Sequence, residues 1–302
     1  MNLLASIVVG TDFSPCSAVA IEQALRIGAK FRSKVFAVHV VDTVVVIEVE
    51  RRTTAFQAAI REGLIRDAKA AWSKFASGIP GAADLGVSVE VNNRVAGLLQ
   101  HAADVHAELI VLGAFGEHPP VVGLGTVASG CVRDAACDVL LVRDTKRGPF
   151  TSIVACVDFS DTSLRALEIA ARLAVADDAK LRVLHVYQGP TNLFPFLSSV
   201  VDVMNDANAQ IKAEATQRVA QMIDTALKNA GAECASLKPS VHINDAAGHG
   251  RGIVDFVTQH GADLIVLGTR GQTNLRDVLL GSTAERVLRS APCSILAIKP
   301  PS

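Results

Sequence analysis

A glycine-rich stretch after an apolar run is the part of this chain best suited to bind a ligand. In LGTRGQTNLRDVLLGST (267–283), two and then nine residues separate three glycines, and two hydroxyl residues follow the last one. Glycine lets backbone approach a ligand closely. The free N–H groups and positive dipole end of a helix that begins here suit a phosphate. The stretch therefore predicts a phosphate-binding loop, with turn and cap residues only as the alternative. The candidate phosphate-binding residues are Gly268, Gly271, Gly281, Ser282 and Thr283.

Three charged residues extend this candidate site. Asp158 ends an apolar run, where a carboxylate can accept hydrogen bonds from a ribose or an adenine; its alternative role is to cap the helix that follows. Arg270 and Arg276 lie inside the glycine loop and could face either a phosphate or solvent. The chain contains no Walker A motif and no strict G-x-G-x-x-G, which disfavours P-loop NTPases and dinucleotide dehydrogenases.

The chain contains the same pattern twice. Residues 6–40 align without a gap on residues 152–186, and the similarity returns towards the end of each half. A duplicated unit of about 150 residues is a typical domain. The stretch RDTKRGPF (143–150) has the charge, glycine and proline of a linker. We predict two domains, 1–146 and 147–302.

Apolar runs alternate with helical patterns in each half, which predicts a parallel sheet covered by helices on both faces. In such a sheet, ligands bind at the carboxyl ends of the strands. In the second half we predict strands at 152–157, 180–186, 240–243, 263–268 and 294–299, and helices at 163–176, 199–230, 252–260 and 283–290. The segment 44–52 is interpreted as an exposed partner surface or a covered strand extension, and GHGRG (248–252) as a flexible connection.

The composition excludes several classes of protein. The net charge is −1, and there are one tryptophan and one tyrosine, which argues against a general nucleic-acid binder. The six cysteines form no C-x-x-C pair, so we expect free thiols in a reducing compartment. The start of the chain lacks the features of a signal peptide, and no apolar run reaches the roughly 18 residues that span a bilayer. We expect a cytoplasmic protein with no membrane span.

Groups for catalysis are not evident in the sequence. No nucleophile with a base, no pair of carboxylates and no metal-ligand spacing can be identified. His39 and His185 recur at equivalent positions, where core or site-lining histidines are expected rather than metal ligands.

The conjunction of motifs resembles the universal stress protein family. The G-2x-G-9x-G-[ST] pattern follows DLIVLG (263–268), an Asp-Phe-Ser turn follows the first strand, and APC precedes the last. The whole chain resembles the tandem-domain members. The resemblance implies a five-stranded parallel sheet of order 3-2-1-4-5 in each domain, with ATP, with or without Mg²⁺, between strands one and four. It places Asp158 at the ribose and adenine, Val186 backbone at the adenine, and the glycine loop around the phosphates.

The first half departs from the family pattern. Only eight residues separate the second and third glycines, Phe115 replaces Arg270, and EHPPVVGL (117–124) has two prolines, Glu117 and no arginine. We expect a reduced nucleotide site there. Its candidate residues are Asp12, Gly113, Gly116, Gly125 and Thr126. The resemblance also implies that the last strands, 138–143 and 294–299, meet antiparallel in an intrachain pseudo-dimer, and it is compatible with a homodimer of whole chains.

These features favour a nucleotide-binding stress or regulatory module over a dedicated enzyme. The alternatives are a slow ATPase or nucleotide-dependent phosphotransfer protein on the same fold, and a nucleotide-free scaffold that binds a partner protein.

Overall fold

The computed structural model describes residues 4–52, 57–116, 124–193, 201–271 and 280–301. The chain divides into two compact units, Met1–Gly148 and Pro149–Ser302.

The first unit is a five-stranded parallel sheet with helical crossovers. Its strands pair in the order β3-β2-β1-β4-β5. They are β1 (Ser6–Gly10), β2 (Lys34–Asp42), β3 (Val87–Asn92), β4 (Leu109–Gly113) and β5 (Asp138–Val142). Its helices are α1 (Pro15–Phe31), α2 (Thr43–Arg52), α3 (Gln57–Ala76), α4 (Arg94–Asp104) and α5 (Thr126–Asp134).

The second unit repeats this architecture. Its strands pair in parallel in the order β8-β7-β6-β9-β10. They are β6 (Ser152–Cys156), β7 (Lys180–Tyr187), β8 (Ser240–Asp245), β9 (Leu264–Gly268) and β10 (Ser294–Ile298). The helices are α6 (Asp161–Asp177), α7 (Pro190–Leu193), α8 (Val201–Ala230), α9 (His249–His260) and α10 (Ser282–Ser290). The predicted fold class, two doubly wound α/β domains in tandem, is confirmed.

The central strands are apolar because helices cover both of their faces. All five residues of β1 and all five of β6 are buried. In the second unit, α6 packs on α8, and α9 packs on α10. Since β6 lies between β7 and β9, the chain connections leave its carboxyl end in opposite directions. This is the position where a doubly wound sheet opens a crevice for ligands.

Serine caps fix the start of the helix after the first strand of each unit. The Ser14 hydroxyl accepts the N–H of Ser17 at 3.2 Å, and the Ser160 hydroxyl accepts the N–H of Ser163 at 3.2 Å. An N-cap side chain satisfies a backbone donor that the helix leaves free. The turn before each helix is thereby held in one geometry.

Two interpretations of local segments need correction. The segment 44–52 is not a strand extension but lies in α2, where Val44 and Ile47 are exposed. GHGRG is not a flexible connection, because α9 begins at His249. A Cβ on Gly252 would lie 2.7 Å from the Val186 side chain, so glycine lets α9 pack closely on β7.

All six cysteines are free in the structure, and the reducing compartment stays a prediction. Within the described ranges, no helix has the length and apolar character needed to cross a membrane.

Candidate functional site

A cleft of about 510 Å³ lies in the second unit at the carboxyl ends of β6, β7 and β9. The start of α10 closes one side of it. Eight of the residues singled out from the sequence of this half line it: Asp158, Val186, Gly268, Arg270, Gly271, Gly281, Ser282 and Thr283. Arg276 lies outside the described residues.

Asp158 is held by the turn that follows it. Its Oδ1 accepts the backbone N–H of Ser160 at 3.1 Å and the Ser160 hydroxyl at 2.6 Å. Because Ser160 caps α6, the alternative role of Asp158 as the cap is wrong. The carboxylate is fixed at the wall of the cleft, where a ligand can reach it.

Two of the three glycines are required by the protein itself. A Cβ on Gly271 would collide with Oδ2 of Asp158, so the loop after β9 lies directly on that carboxylate. A Cβ on Gly268 would lie 2.9 Å from Cγ2 of Thr162 and 3.1 Å from the carbonyl oxygen of Arg270. These two glycines therefore bring the loop, the turn and the start of α6 together.

Gly281 meets no such crowding from the described residues. Its φ is −72° and its ψ is 148°, which any residue can adopt, and the one described atom that an added Cβ would meet is the Thr269 carbonyl oxygen, at 3.4 Å. Its own N–H donates to that carbonyl at 2.8 Å. As the N-cap of α10, Gly281 has no side chain to cap the helix, and the residues of the first turn line the cleft. The positive end of the helix dipole thus borders the cleft.

The described lining also includes Phe159, Arg218 and His249, which the sequence did not predict, and His185, which was predicted as a core or site-lining histidine. Phe159 has a φ of 65°, a conformation that is uncommon outside glycine and clusters at functional sites. Its ring lies 4.4 Å from the His185 ring, and the Arg218 guanidinium lies 3.9 Å from its centroid. The contact between Phe159 and His185 could have been inferred from the sequence, because Asp-Phe-Ser and the histidine recur in both halves. Arg218 comes from α8, and the sequence carries no signal for it.

His185 is a neutral member of this cluster. Burial lowers its pKa below the usual range, although its hydrogen bond to the Val157 carbonyl acts in the opposite direction. Nδ1 lies 2.8 Å from that oxygen, so Nδ1–H donates to it and leaves Nε2 as the acceptor. Among the Asp, Glu, Lys and Arg residues that the structure describes, one carboxylate, Asp158, and two arginines, Arg218 and Arg270, line the cleft. This balance suits an anionic ligand.

The first unit has a cleft of about 870 Å³ on the same frame. Its lining contains all five residues predicted for this half: Asp12, Gly113, Gly116, Gly125 and Thr126. The local geometry is also repeated. A Cβ on Gly116 would lie 2.7 Å from Oδ2 of Asp12, Phe13 has a φ of 63°, and its ring stacks on that of His39 at 4.5 Å. Residues 117–123, most of the altered loop, lie outside the described residues.

Comparison with known proteins identifies this repeated framework. The model of the universal stress protein family matches residues 5–143 and again residues 149–299. The chain belongs to the universal stress protein family. The two matches also confirm that it is a tandem, two-repeat member.

Relatives in this family include shorter proteins and one of similar length. Universal stress protein YxiE of Bacillus subtilis is 27% identical over 150 residues, which are 50% of this chain and 99% of YxiE. Universal stress protein MJ0531 of Methanocaldococcus jannaschii is 30% identical over 153 residues, 50% of this chain and 84% of that protein. A crystal structure of a universal stress protein from Archaeoglobus fulgidus has a TM-score of 0.65 and 18% identity, and 98% of each chain is covered.

The described lining of the second cleft offers several groups that can bind a ligand. They include a fixed carboxylate, the imidazoles of His185 and His249, two arginines and a helix start. Together they can recognise a small anion that also presents hydrogen-bond donors. Among the described residues, no group of three or more His, Cys, Asp or Glu side chains could hold a metal ion.

Proposed function

We propose that the second unit binds ATP and that the protein acts as a nucleotide-dependent regulatory module in the stress response. One observation carries this proposal. A fixed carboxylate, two arginines and an uncapped helix start converge on one cleft at the point where the strand order reverses. A carboxylate at one end and an anion site at the other match a ligand with ribose hydroxyls and phosphates.

Each lining residue has a role in this proposal. Asp158 accepts hydrogen bonds from the ribose or the adenine, and backbone at Val186 meets the adenine. Arg270 and the first turn of α10, with Ser282 and Thr283, surround the phosphates. Gly268 and Gly271 shape the loop, and Gly281 leaves space beside the helix start. In the first unit, Asp12, Gly113, Gly116, Gly125 and Thr126 form a reduced version of the site.

Mg²⁺, if present, would arrive with the phosphates. ATP phosphates commonly hold Mg²⁺ with few protein ligands. Asp158 is the one carboxylate among the described lining residues, and its Oδ1 already accepts two hydrogen bonds from Ser160.

We expect a binding module with at most slow hydrolysis. Oδ1 of Asp158 accepts two hydrogen bonds from Ser160, whereas Nε2 of His185 stays an acceptor because Nδ1 is bonded to the Val157 carbonyl. A general base must reach the proton that it removes, in addition to having a suitable pKa. Steady-state release of phosphate measures whether Nε2 of His185 acts in this way.

The test is nucleotide content and titration. Acid extraction of the purified protein should release adenine nucleotide, and calorimetric titration with ATP should give saturable binding. Asp158→Ala should weaken that binding by about 0.5–3 kcal/mol, the range for losing a hydrogen bond to a charged acceptor. Its control is Asp161→Ala, an exposed residue in the first turn of α6 that does not line the cleft.

Three outcomes separate this proposal from its alternatives. The absence of binding at millimolar ATP would support a nucleotide-free scaffold. Steady-state release of phosphate that depends on Asp158 would support a slow ATPase. Equal affinity of the Asp158→Ala variant and the wild type would contradict the role of the carboxylate.

A further inference from the structure

We infer that the cleft of the first unit binds an unphosphorylated, nucleoside-like ligand, with an apolar or aromatic body and hydrogen-bond donors, in preference to ATP. The inference rests on the proposed function in taking ATP as the ligand of the second cleft. Its own support is the difference between the linings of the two clefts.

The first difference is on the helix wall. Arg218 of α8 lines the second cleft, and its guanidinium lies over the Phe159 ring. Among the described residues, α3 contributes Leu64, Asp67, Ala68 and Ala71 to the lining of the first cleft, and none of these four is basic. The ring beside Phe13 is that of Phe75, also from α3. The described helix wall of the first cleft therefore has no cation like Arg218.

The second difference is the balance of charge. Among the described lining residues of the first cleft, three are carboxylates (Asp12, Asp42 and Asp67) and one is an arginine (Arg94). Arg94 Nε lies 3.1 Å from Oδ2 of Asp42, so its charge is paired. The second cleft has one carboxylate and two arginines among its described lining residues. An excess of carboxylates repels a triphosphate and does not repel a neutral molecule.

The third difference is at the end of the cleft where the second unit has Arg270. Phe115 occupies that place and lines the first cleft. The Arg143 guanidinium lies 4.8 Å from the centroid of the Phe115 ring, and Arg143 is not among the described residues that line the cleft. An aromatic face therefore replaces the cation. Such a face favours contact with an apolar or aromatic group over a phosphate.

The groups that would recognise a nucleoside are nevertheless retained. Oδ1 of Asp12 accepts the N–H of Ser14 at 3.1 Å, so this carboxylate is fixed as Asp158 is. The Phe13 ring stacks on that of His39 at 4.5 Å, and the Phe159 ring lies 4.4 Å from that of His185. The cleft is also the larger of the two, at about 870 Å³. The carboxylate that would accept hydrogen bonds is thus the same in both clefts, while the part that would bind phosphates differs.

The chain contains its own reporter for this cleft. Trp72 is the single tryptophan. Its ring lies 6.4 Å from Phe75, and Phe75 lies 5.5 Å from Phe13, which lines the cleft. Tryptophan fluorescence of the full chain therefore reports binding in the first unit, while calorimetry reports binding in both.

The experiment titrates the full chain with adenosine and with ATP while Trp72 fluorescence and heat are recorded. In a Gly281→Val background, which weakens the second site, adenosine should change the fluorescence saturably, with an affinity at least about tenfold higher than that of ATP. Ala71→Arg places a cation on the helix wall of the first cleft, so it should reduce the preference for adenosine over ATP. Asp12→Asn should weaken the response to adenosine, and Asp84→Asn, an exposed change away from the cleft, should not.

The remaining outcomes overturn the inference or separate it from the proposed function. The inference is overturned if ATP binds as tightly as adenosine in the Gly281→Val background. It is also overturned if neither ligand gives a response by fluorescence or by heat. A saturable response to adenosine in a chain whose second cleft shows no ATP heat would refute the proposed function and leave this inference intact.

Discussion

Gly268 and Gly281 differ in what surrounds them, and this difference gives a matched pair of substitutions. An added Cβ at Gly281 makes only an ordinary contact among the described residues, so for Gly281→Val we expect ATP affinity to fall by about tenfold or more while stability changes by about 1 kcal/mol at most. Gly268→Val would press on Thr162 and on the Arg270 carbonyl, and should cost about 1–3 kcal/mol of unfolding free energy. Calorimetric titration and thermal unfolding of both variants make the comparison.

The order of the two effects decides the interpretation. If Gly281→Val destabilises the protein as much as Gly268→Val does, the role of Gly281 is turn formation, and its predicted place beside a phosphate is wrong. If a folded Gly281→Val variant keeps the wild-type affinity for ATP, the start of α10 is not part of the ligand site.

His185 predicts a pH dependence of stability. Burial lowers its pKa in the folded state below the ordinary value of 6.5, so the unfolded state takes up a proton first as the pH falls. The free energy of unfolding should therefore decrease as the pH falls below that value, and the contribution of His185 should be constant above it. His185→Asn keeps a donor for the Val157 carbonyl and cannot titrate.

The measurement is urea unfolding of wild type and His185→Asn between about pH 5 and pH 8. We expect the wild type to lose stability relative to the variant on acidification. His242, whose pKa burial also lowers, is present in both proteins and cancels in the difference. A difference that is constant with pH would show that His185 titrates normally.

At the scale of the elements, the serine caps are local devices with a measurable contribution. Ser160→Ala removes the acceptor for the Ser163 N–H and the donor to Asp158, and should lower the free energy of unfolding by about 1 kcal/mol. Ser73→Ala, at an exposed position within α3, should be neutral or slightly stabilising, because alanine is the better helix former. Denaturant unfolding of the two variants tests this, and equal effects would argue against the cap.

Local signals explain how far the sequence could predict these elements. Ser160, the glycine spacing and the apolar runs act within a few residues, so the strands and the glycine loop could be predicted. The segment 44–52 lacked a clear period, and its structure as α2 depends on the chain around it. Arg218 reaches the cleft only because α8 packs its buried row on the sheet and turns that residue towards β6. A register set by tertiary packing is not visible in a single sequence.

At the scale of the whole molecule, one framework serves two different linings. The Asp-Phe-Ser turn, its positive φ at phenylalanine and the glycine beside the carboxylate occur in both units. The charged side chains around them differ, with an excess of arginine in the second cleft and of carboxylate in the first. Duplication preserved the parts that hold the backbone, while the parts that select a ligand diverged. The antiparallel meeting of the last strands of the two units stays a prediction.

This divergence predicts unequal ATP sites in the intact chain. The second cleft should bind ATP more tightly, because Arg218 and Arg270 line it. In the first cleft, Phe115 stands in place of Arg270, and the described lining residues of α3 include no cation. Calorimetric titration of the full chain should therefore show one dominant site, which Gly281→Val removes. Gly125→Val, the same change at the equivalent helix start of α5, should leave that site intact, since its φ of −60° also accepts a side chain. Two equal sites, or loss of the dominant site in the Gly125→Val variant, would mean that the charged residues of the lining do not decide which unit binds ATP.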